Sequence, residues 1–151
     1  MGVLIIAEKP SVASDLARVL GADQKHETHW SASDLEITWA IGHLLEMEMP
    51  EAYDERLKNW HGSSEHLPII PDEFRIKPKS KTKRQLSAIK RLASKKGITE
   101  FVNACDAARE GELIFRRLME YIQPDAPCSR MWMRSMTDDA IRIAWEQRVT
   151  S

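Results

Sequence analysis

Three acidic side chains and one arginine lie within residues 106–112, whose sequence is DAAREGE. An apolar run at residues 98–105 precedes them, so they fall in a turn between a predicted strand and a predicted helix. Carboxylate oxygens are hard ligands, and Mg²⁺ takes a few of them together with water and phosphate oxygens. Asp106 and Glu110, joined by Glu8, are therefore the predicted magnesium ligands. A competing interpretation is that these acids only stabilise the positive end of a helix.

Glu8 and Lys9 form a second charged group, directly after the apolar run at residues 3–7. A carboxyl group at this place can act as a general acid or base, and an adjacent lysine can hold a phosphate oxygen as a point charge. Both tasks belong to phosphoryl transfer. The competing interpretation is that the chain simply reaches solvent where a buried strand ends.

Two strand–turn–helix units position these acids. In the first, residues 3–7 predict a strand buried on both faces, and Ser11 is the predicted cap of a helix over residues 11–20. In the second, residues 98–105 predict the strand and residues 110–122 the helix. The other predicted elements are strands within residues 29–41, 74–77 and 129–133, an irregular segment at 46–72, and helices at 80–95 and 138–147.

Strands that alternate with helices predict an α/β fold, in which a mainly parallel central sheet carries helices on both faces, with an inserted hairpin and an irregular segment. In such a sheet, ligands bind at the carboxyl ends of the strands, near a topological switch point. Glu8 and Asp106 both follow strand ends, so we expect them to lie at that edge. The length of 151 residues suits one domain, 1–151.

Apolar positions on the predicted elements define the expected core. We expect the hairpin strand to alternate Ile37, Trp39 and Ile41 on one side. The helix at 110–122 is expected to bury one face, made of Leu113, Ile114, Leu118 and Ile122. We expect the tryptophans to anchor the core or its edge rather than to stack on bases. They are Trp30, Trp39, Trp60, Trp132 and Trp145.

Residues 75–96 contain ten of the 22 Lys and Arg residues and no Asp or Glu, although the net charge is -1. A basic helix of this kind can neutralise nucleic-acid phosphates, but such contacts do not read the base sequence. The competing interpretation is a solvated helix face. The residues that we expect near DNA are Lys79, Lys81, Lys83 and Arg84, together with His43, which follows Gly42 at a strand end.

Several classes of protein do not fit the sequence. No apolar run approaches the roughly 18 residues of a membrane-spanning helix, and no signal peptide is recognisable. Cys105 and Cys128 are too few for a disulfide framework and lack the spacing of a zinc site. No GxGxxG motif follows the first strand, which argues against a dinucleotide-binding enzyme. We therefore expect a cytoplasmic protein without a membrane partner.

Five segments, taken in order along the chain, resemble the N-terminal Toprim domain of the type IA DNA topoisomerases, most closely that of topoisomerase III. They are residues 4–13 (LIIAEKPSVA), 41–45 (IGHLL), 67–71 (LPIIP), 106–112 (DAAREGE) and 129–137 (SRMWMRSMT). The resemblance implies a Rossmann-like Toprim fold in which Glu8 is the catalytic acid or base, Lys9 stabilises the phosphate and Arg109 lies nearby. It also implies that Asp106 and Glu110 hold Mg²⁺.

The same resemblance implies a partner and a parent enzyme. The partner is single-stranded DNA, or DNA with single-stranded regions, and the location is nucleoid-associated. The parent enzyme relaxes or decatenates DNA by transient cleavage of one strand. The basic stretch and the loop around His43 are implied to lie near that DNA.

Two positions depart from the family pattern. Ala108 stands where the acidic motif usually has a second aspartate, which leaves one carboxylate fewer for the metal. The family's nucleophilic tyrosine lies in a Tyr-x-Arg-Thr motif, and neither Tyr53 nor Tyr121 fits that motif. We therefore expect a fragment of a larger enzyme, without its gate and tyrosine-bearing domains, that does not cleave DNA by itself.

Two other functions remain open. The chain could be a non-catalytic DNA-binding module, in which the basic stretch binds and the acids only cap helices. It could instead be another Toprim phosphoryl-transfer enzyme, such as a primase or a nuclease, that uses the same acids without a tyrosine. The segments at residues 42–43 and 68–71 argue against the second function, because they resemble the topoisomerases specifically.

Overall fold

Strands and helices alternate along most of the chain in the computed structural model, which describes residues 2–62 and 67–150 and the side chains of all of these except 60–62. The strands are β1 (Gly2–Ala7), β2 (Gln24–Lys25), β3 (His29–Ser31), β4 (Leu35–Trp39), β5 (Leu45–Met47), β6 (Ile76–Pro78), β7 (Ile98–Ala104), β8 (Cys128–Arg130) and β9 (Val149–Thr150). The α-helices are α1 (Pro10–Leu20), α2 (Lys83–Ala93), α3 (Arg109–Ile122) and α4 (Asp138–Glu146). Short 3₁₀ segments cover Pro50–Ala52, Glu55–Gly62 and Ser80–Thr82.

The main sheet has seven strands in the order β2-β3-β4-β1-β7-β8-β9. The four central strands are parallel, and antiparallel pairs flank them on both sides. This confirms the predicted mainly parallel central sheet and the inserted hairpin, which is the β3–β4 pair. Strands β2 and β9 were not predicted, because two residues are too short to produce an alternating pattern. Strand β5 was also missed, since Glu46 and Met47 fall in the segment predicted to be irregular. Strands β5 and β6 form a separate antiparallel pair.

Alternate residues of β1 pack into two different cores. Leu4 and Ile6 face the core under α2 and α3, whereas Ile5 and Ala7 face the core under α1 and α4. All four side chains are fully buried, which explains why this strand is uniformly apolar. The prediction of helices on both faces is therefore confirmed. Within the part of the chain that the structure describes, none of the helices has both the length and the apolar character to traverse a bilayer.

Three local predictions were wrong. Leu113 is 44% exposed and Phe115 takes its place in the core, because the buried stripe of α3 runs through positions three and four apart that exclude Leu113. Ile41 is 50% exposed, since its φ of 49° turns the chain away after β4. Ser11 does not cap α1, which begins at Pro10, a residue whose fixed φ suits the first turn of a helix.

Tryptophans occupy different environments. Trp39 is buried, and Trp30 and Trp145 are half-buried against the same core, as predicted. Trp132 is 55% exposed, so the prediction that it anchors the core was wrong. The side chain of Trp60 lies outside the described residues.

Candidate functional site

The acidic site forms where β1 and β7 end side by side. Ala7, the last residue of β1, pairs with Ala104 of β7, so the next residues of both strands leave the same edge of the sheet. Glu8 Oε2 accepts a hydrogen bond of 3.3 Å from the backbone amide of Asp106. The Glu8 side chain is only 12% exposed, so the bond holds its carboxylate in a fixed place. The predicted meeting of Glu8 and Asp106 at this edge is confirmed.

Lys9 joins the two carboxylates. Its Nζ lies 3.3 Å from Asp106 Oδ2 and 3.9 Å from Glu8 Oε1. The hydrogen bond to Asp106, together with the charges of Asp106 and Glu8, raises the pKa of Lys9 above its ordinary value. Lys9 is therefore a cation at neutral pH, and it is 57% exposed, so a phosphate can reach it.

Gly111 lets the acidic turn fold tightly onto the start of α3. A Cβ at Gly111 would lie 2.3 Å from the carbonyl oxygen of Asp106 and 3.0 Å from its nitrogen. The same carbonyl accepts a 2.8 Å hydrogen bond from the amide of Ala108. The close approach therefore needs a residue without a side chain at position 111.

Arg130 supports this turn from inside the protein. It is not among the site residues predicted from the sequence. Its side chain is 2% exposed, and its Nη2 donates a 2.9 Å hydrogen bond to the carbonyl of Asp106. Its Nη1 lies 3.8 Å from Glu112 Oε2, while burial lowers the pKa of the guanidinium. Within the described residues, Nε and Nη1 have no hydrogen-bond partner. An arginine inside the predicted strand at residues 129–133 is the sequence signal that could have identified it, because a charged side chain in a buried strand needs a partner.

Glu112 stabilises the local fold through hydrogen bonds to two neighbouring side chains, unlike Asp106 and Glu110, the other two acids of residues 106–112. Its Oε2 accepts a 2.9 Å hydrogen bond from Asn103 Nδ2, and its Oε1 accepts a 2.7 Å hydrogen bond from Arg116 Nε. Asn103 is buried in β7, and its Oδ1 accepts a hydrogen bond from the amide of Cys105. These bonds fasten the first turn of α3 to the end of β7.

Glu110 and His43 face each other beside the acidic pair. Glu110 Oε1 lies 3.7 Å from His43 Nε2, and the Glu110 side chain is 70% exposed. Arg109 is the exposed first residue of α3. The structure thus brings Glu8, Lys9 and Asp106 into contact, and places Glu110 opposite the loop that contains His43.

The donor chemistry of the site suits magnesium. The carboxylates of Asp106 and Glu110 are 51% and 70% exposed, so hard oxygen donors are open to an incoming ion. Within residues 2–62 and 67–150, however, no three His, Cys, Asp or Glu side chains are gathered as a ligand set. The assignment of Glu8, Asp106 and Glu110 as metal ligands stays a prediction.

The basic stretch begins next to the His43 loop. The amide of Lys79 donates a 2.9 Å hydrogen bond to the carbonyl of Leu44, the residue after His43. Lys81, Lys83 and Arg84 are exposed, and Lys79 is half-buried. Arg84 forms an ion pair with Glu27, whereas the three lysines form no ion pair within the described residues. Their positive charge is therefore available to an anionic partner.

Comparison with known proteins identifies relatives over nearly the whole chain. A family model described as "Toprim domain" matches residues 3–136. The chain is 40% identical to DNA topoisomerase 3 of Bacillus thuringiensis over 139 residues, which are 92% of this chain and 19% of that protein. It is 38% identical to DNA topoisomerase 3 of Bacillus subtilis over 144 residues, which are 95% of this chain and 20% of that protein. The chain thus spans about a fifth of the length of these curated relatives.

A solved structure has the same fold. Full-length topoisomerase I from Thermotoga maritima superposes with a TM-score of 0.62, at 18% identity, over 97% of this chain and 21% of that one. At this identity the likeness concerns the fold alone. The predicted resemblance to topoisomerase III is confirmed by the sequence relatives.

Proposed function

The chain belongs to the Toprim domain family, and from that premise we propose that it supplies the acidic half of the active site of a type IA DNA topoisomerase similar to topoisomerase 3. The observation that carries the proposal is the contact of Lys9 with both Glu8 and Asp106 at the carboxyl edge of the sheet. A fixed carboxylate beside an exposed ammonium group suits a phosphodiester, since the carboxylate can accept or donate a proton and the ammonium group can bind a phosphate oxygen.

Each side chain has a defined task in this proposal. Glu8 acts as the acid or base on the oxygen that leaves or attacks phosphorus, because its carboxylate is held in place by the Asp106 amide. Lys9 binds a non-bridging phosphate oxygen and stabilises its charge. Arg109 is exposed at the first position of α3, directly after the acidic turn, and is assigned a contact with the phosphates of the same DNA strand.

Magnesium is the proposed cofactor. Asp106 and Glu110 would hold the ion together with Glu8, and a bound Mg²⁺ supplies positive charge next to the phosphate. Ala108 contributes no carboxylate, so water or phosphate oxygens would have to complete the coordination of a bound ion. The His43 side chain, opposite Glu110, is placed to orient that carboxylate.

Single-stranded DNA, or DNA with single-stranded regions, is the proposed substrate, and the basic stretch tracks its backbone. The complete enzyme relaxes or decatenates DNA by cutting and resealing one strand, in the cytoplasm at the nucleoid. The nucleophilic tyrosine comes from another domain of the parent protein, because neither Tyr53 nor Tyr121 has the expected motif. This chain by itself therefore binds DNA without cleaving it.

Titration of the chain with Mg²⁺ tests the proposal, with backbone NMR shifts as the readout. We expect saturable shifts around Glu8, Asp106 and Glu110 that disappear in Asp106→Ala. Asp139→Ala is the matched control, because Asp139 is also an exposed acid at the start of a helix. Equal shifts in both variants would contradict the magnesium assignment.

A non-catalytic DNA-binding module is the second candidate function. It is favoured by the finding that no three acids are gathered as a ligand set among residues 2–62 and 67–150. This function predicts that no Mg²⁺ binds even at tens of millimolar, a generous ceiling for a hard-cation site. It also predicts that Asp106→Ala leaves the affinity for oligonucleotides unchanged.

A further inference from the structure

Trp132 lies at the same edge of the sheet as the acidic site. Arg130, at the end of β8, pairs with Asn103 of β7, so the residues after β8 leave the sheet next to Asp106. Trp132 is the second of these residues, and 55% of its surface is exposed. An exposed indole ring offers a broad apolar face on which a planar group can stack.

The ring of Trp132 is coupled to the acidic turn through Arg130. The guanidinium carbon of Arg130 lies 4.7 Å from the centre of the indole ring, while Nη2 of the same side chain donates to the carbonyl of Asp106. Because Arg130 is 2% exposed, it fixes the ring from the protein side and leaves exposed area for a second planar group. The ring is therefore held in a defined orientation one side chain away from Asp106.

A cavity of about 420 Å³ opens beside the ring. Its size lies within the roughly 300–1,000 Å³ of small-ligand sites. Its lining combines aromatic, aliphatic and polar groups, namely Trp132, Arg134, Ala140, Ile143, Ala144 and Gln147. Arg134 is exposed and forms no ion pair within the part of the chain that the structure describes. The aromatic face of Trp132 next to the cation of Arg134 matches a planar base attached to a phosphate.

We propose that Trp132 is a stacking platform for one nucleobase of the strand whose phosphate lies at the acidic site, and that Arg134 contacts a neighbouring phosphate. The proposal rests on the proposed function, because the acidic site must hold a nucleic acid. A protein segment is the other conceivable occupant, since Ile143 is also 52% exposed. The guanidinium at the rim and the connection to Asp106 favour the nucleotide.

The test compares two ligands of equal length and charge, about eight units each, namely oligothymidylate and an abasic deoxyribose-phosphate oligomer. We expect the chain to bind oligothymidylate more tightly, and Trp132→Ala to weaken that binding roughly tenfold while leaving the abasic oligomer unaffected. Trp132→Phe should keep most of the affinity because a ring remains. Trp30→Phe is the matched control, since Lys25 lies over the Trp30 ring just as Arg130 lies over Trp132.

Tryptophan fluorescence gives a second readout. Oligothymidylate should quench the emission of the wild type and of Trp30→Phe, and quench Trp132→Phe much less. If the wild type and Trp132→Ala bind both oligomers equally, the stacking proposal is overturned. If the wild type binds neither oligomer, the nucleic-acid function itself fails, and the stacking proposal fails with it.

Discussion

Arg130 Nη2 donates a 2.9 Å hydrogen bond to the backbone carbonyl of Asp106. A buried guanidinium thereby holds the main chain of the acidic turn, while the carboxylate of the same aspartate stays 51% exposed. The main chain of Asp106 is thus fixed from inside the protein, and its side chain remains free for Lys9 or an ion.

Replacing Arg130 should destabilise the protein. Arg130→Lys removes the planar donor and leaves the carbonyl of Asp106 with the Ala108 amide alone, so we expect the free energy of unfolding to fall by about 2 kcal/mol. Urea unfolding measures the change. Arg142→Lys, an exposed exchange on α4, should change the free energy of unfolding by less than about 0.5 kcal/mol. Equal effects of the two substitutions would contradict the supporting role of Arg130.

Gly111→Ala should disrupt the acidic turn. The added Cβ would lie 2.3 Å from the Asp106 carbonyl oxygen, so the backbone must move, at about 1–3 kcal/mol of stability. Gly21→Ala is the control, because a Cβ there meets no atom within 4 Å and introduces only the strain of a positive φ. Only Gly111→Ala should also abolish the NMR shifts caused by Mg²⁺. If the shifts caused by Mg²⁺ are unchanged in Gly111→Ala, metal binding does not depend on the geometry of the acidic turn.

Stability should decrease in weak acid because of His29. Burial lowers the pKa of His29 below its ordinary value of 6.5, so the folded protein favours the neutral imidazole. The unfolded chain binds the proton more readily, and the free energy of unfolding therefore falls as the pH decreases from about 6.5 through the folded-state pKa. His29→Gln should flatten this part of the profile in urea unfolding. A wild-type profile without this fall would refute the assignment.

The basic stretch should bind phosphates without reading bases. Lys81→Gln combined with Lys83→Gln should weaken binding of single-stranded DNA of any sequence and reduce the slope of log K against log[salt] by roughly 1.4, the value for two phosphate contacts. Lys96→Gln is the control within the same stretch, since Lys96 lies at its far end, after α2 and before the amino end of β7, at the opposite edge of the sheet. Fluorescence anisotropy at several salt concentrations measures both quantities. An equal loss in the control would indicate a general charge effect.

Glu8→Ala should abolish DNA cleavage in a complete enzyme. The experiment uses a chimera in which this chain replaces the matching segment of Bacillus subtilis DNA topoisomerase 3, to which it is 38% identical over 144 residues; the unmutated chimera must cleave for the comparison to be made. In this chimera, cleavage of a single-stranded oligonucleotide should be lost on Glu8→Ala because the positioned acid or base is removed. Glu120→Ala, an exposed acid on α3, should cleave normally. Cleavage retained by the Glu8 variant would exclude the proposed role.

The strand ends of the fold could be predicted from the sequence, and with them part of the site. Uniformly apolar runs identify β1 and β7, and parallel strands end at one edge, so the meeting of Glu8 and Asp106 follows from topology. The face of α3 was harder to predict. Residues 113–115 are all apolar, and only packing against the sheet decides that Phe115 is buried and Leu113 is not.

Other features depend on contacts between distant parts of the chain. The burial of Arg130 requires the carbonyl of Asp106, which is 24 residues away in sequence, and no local pattern encodes that partner. Likewise, the exposure of Trp132 depends on where β8 ends, and that strand is shorter than the apolar pattern suggested. Arg130 and Trp132 both depart from the usual burial of their residue types, since a charged side chain is buried and an aromatic side chain is exposed.

Residues 45–78 form an excursion, a segment whose first and last residues lie side by side in the fold. Leu45 pairs with Pro78 across β5 and β6, and the Leu44 carbonyl accepts the amide of Lys79, so the two ends of the excursion are clamped together. Because the clamp ties Leu44 and Leu45 to Lys79 and Pro78, we expect residues inserted within the excursion to cost only a modest loop-closure entropy. The excursion is therefore a suitable place to insert a foreign loop or a reporter peptide, because we expect the positions of the acidic side chains to stay unchanged.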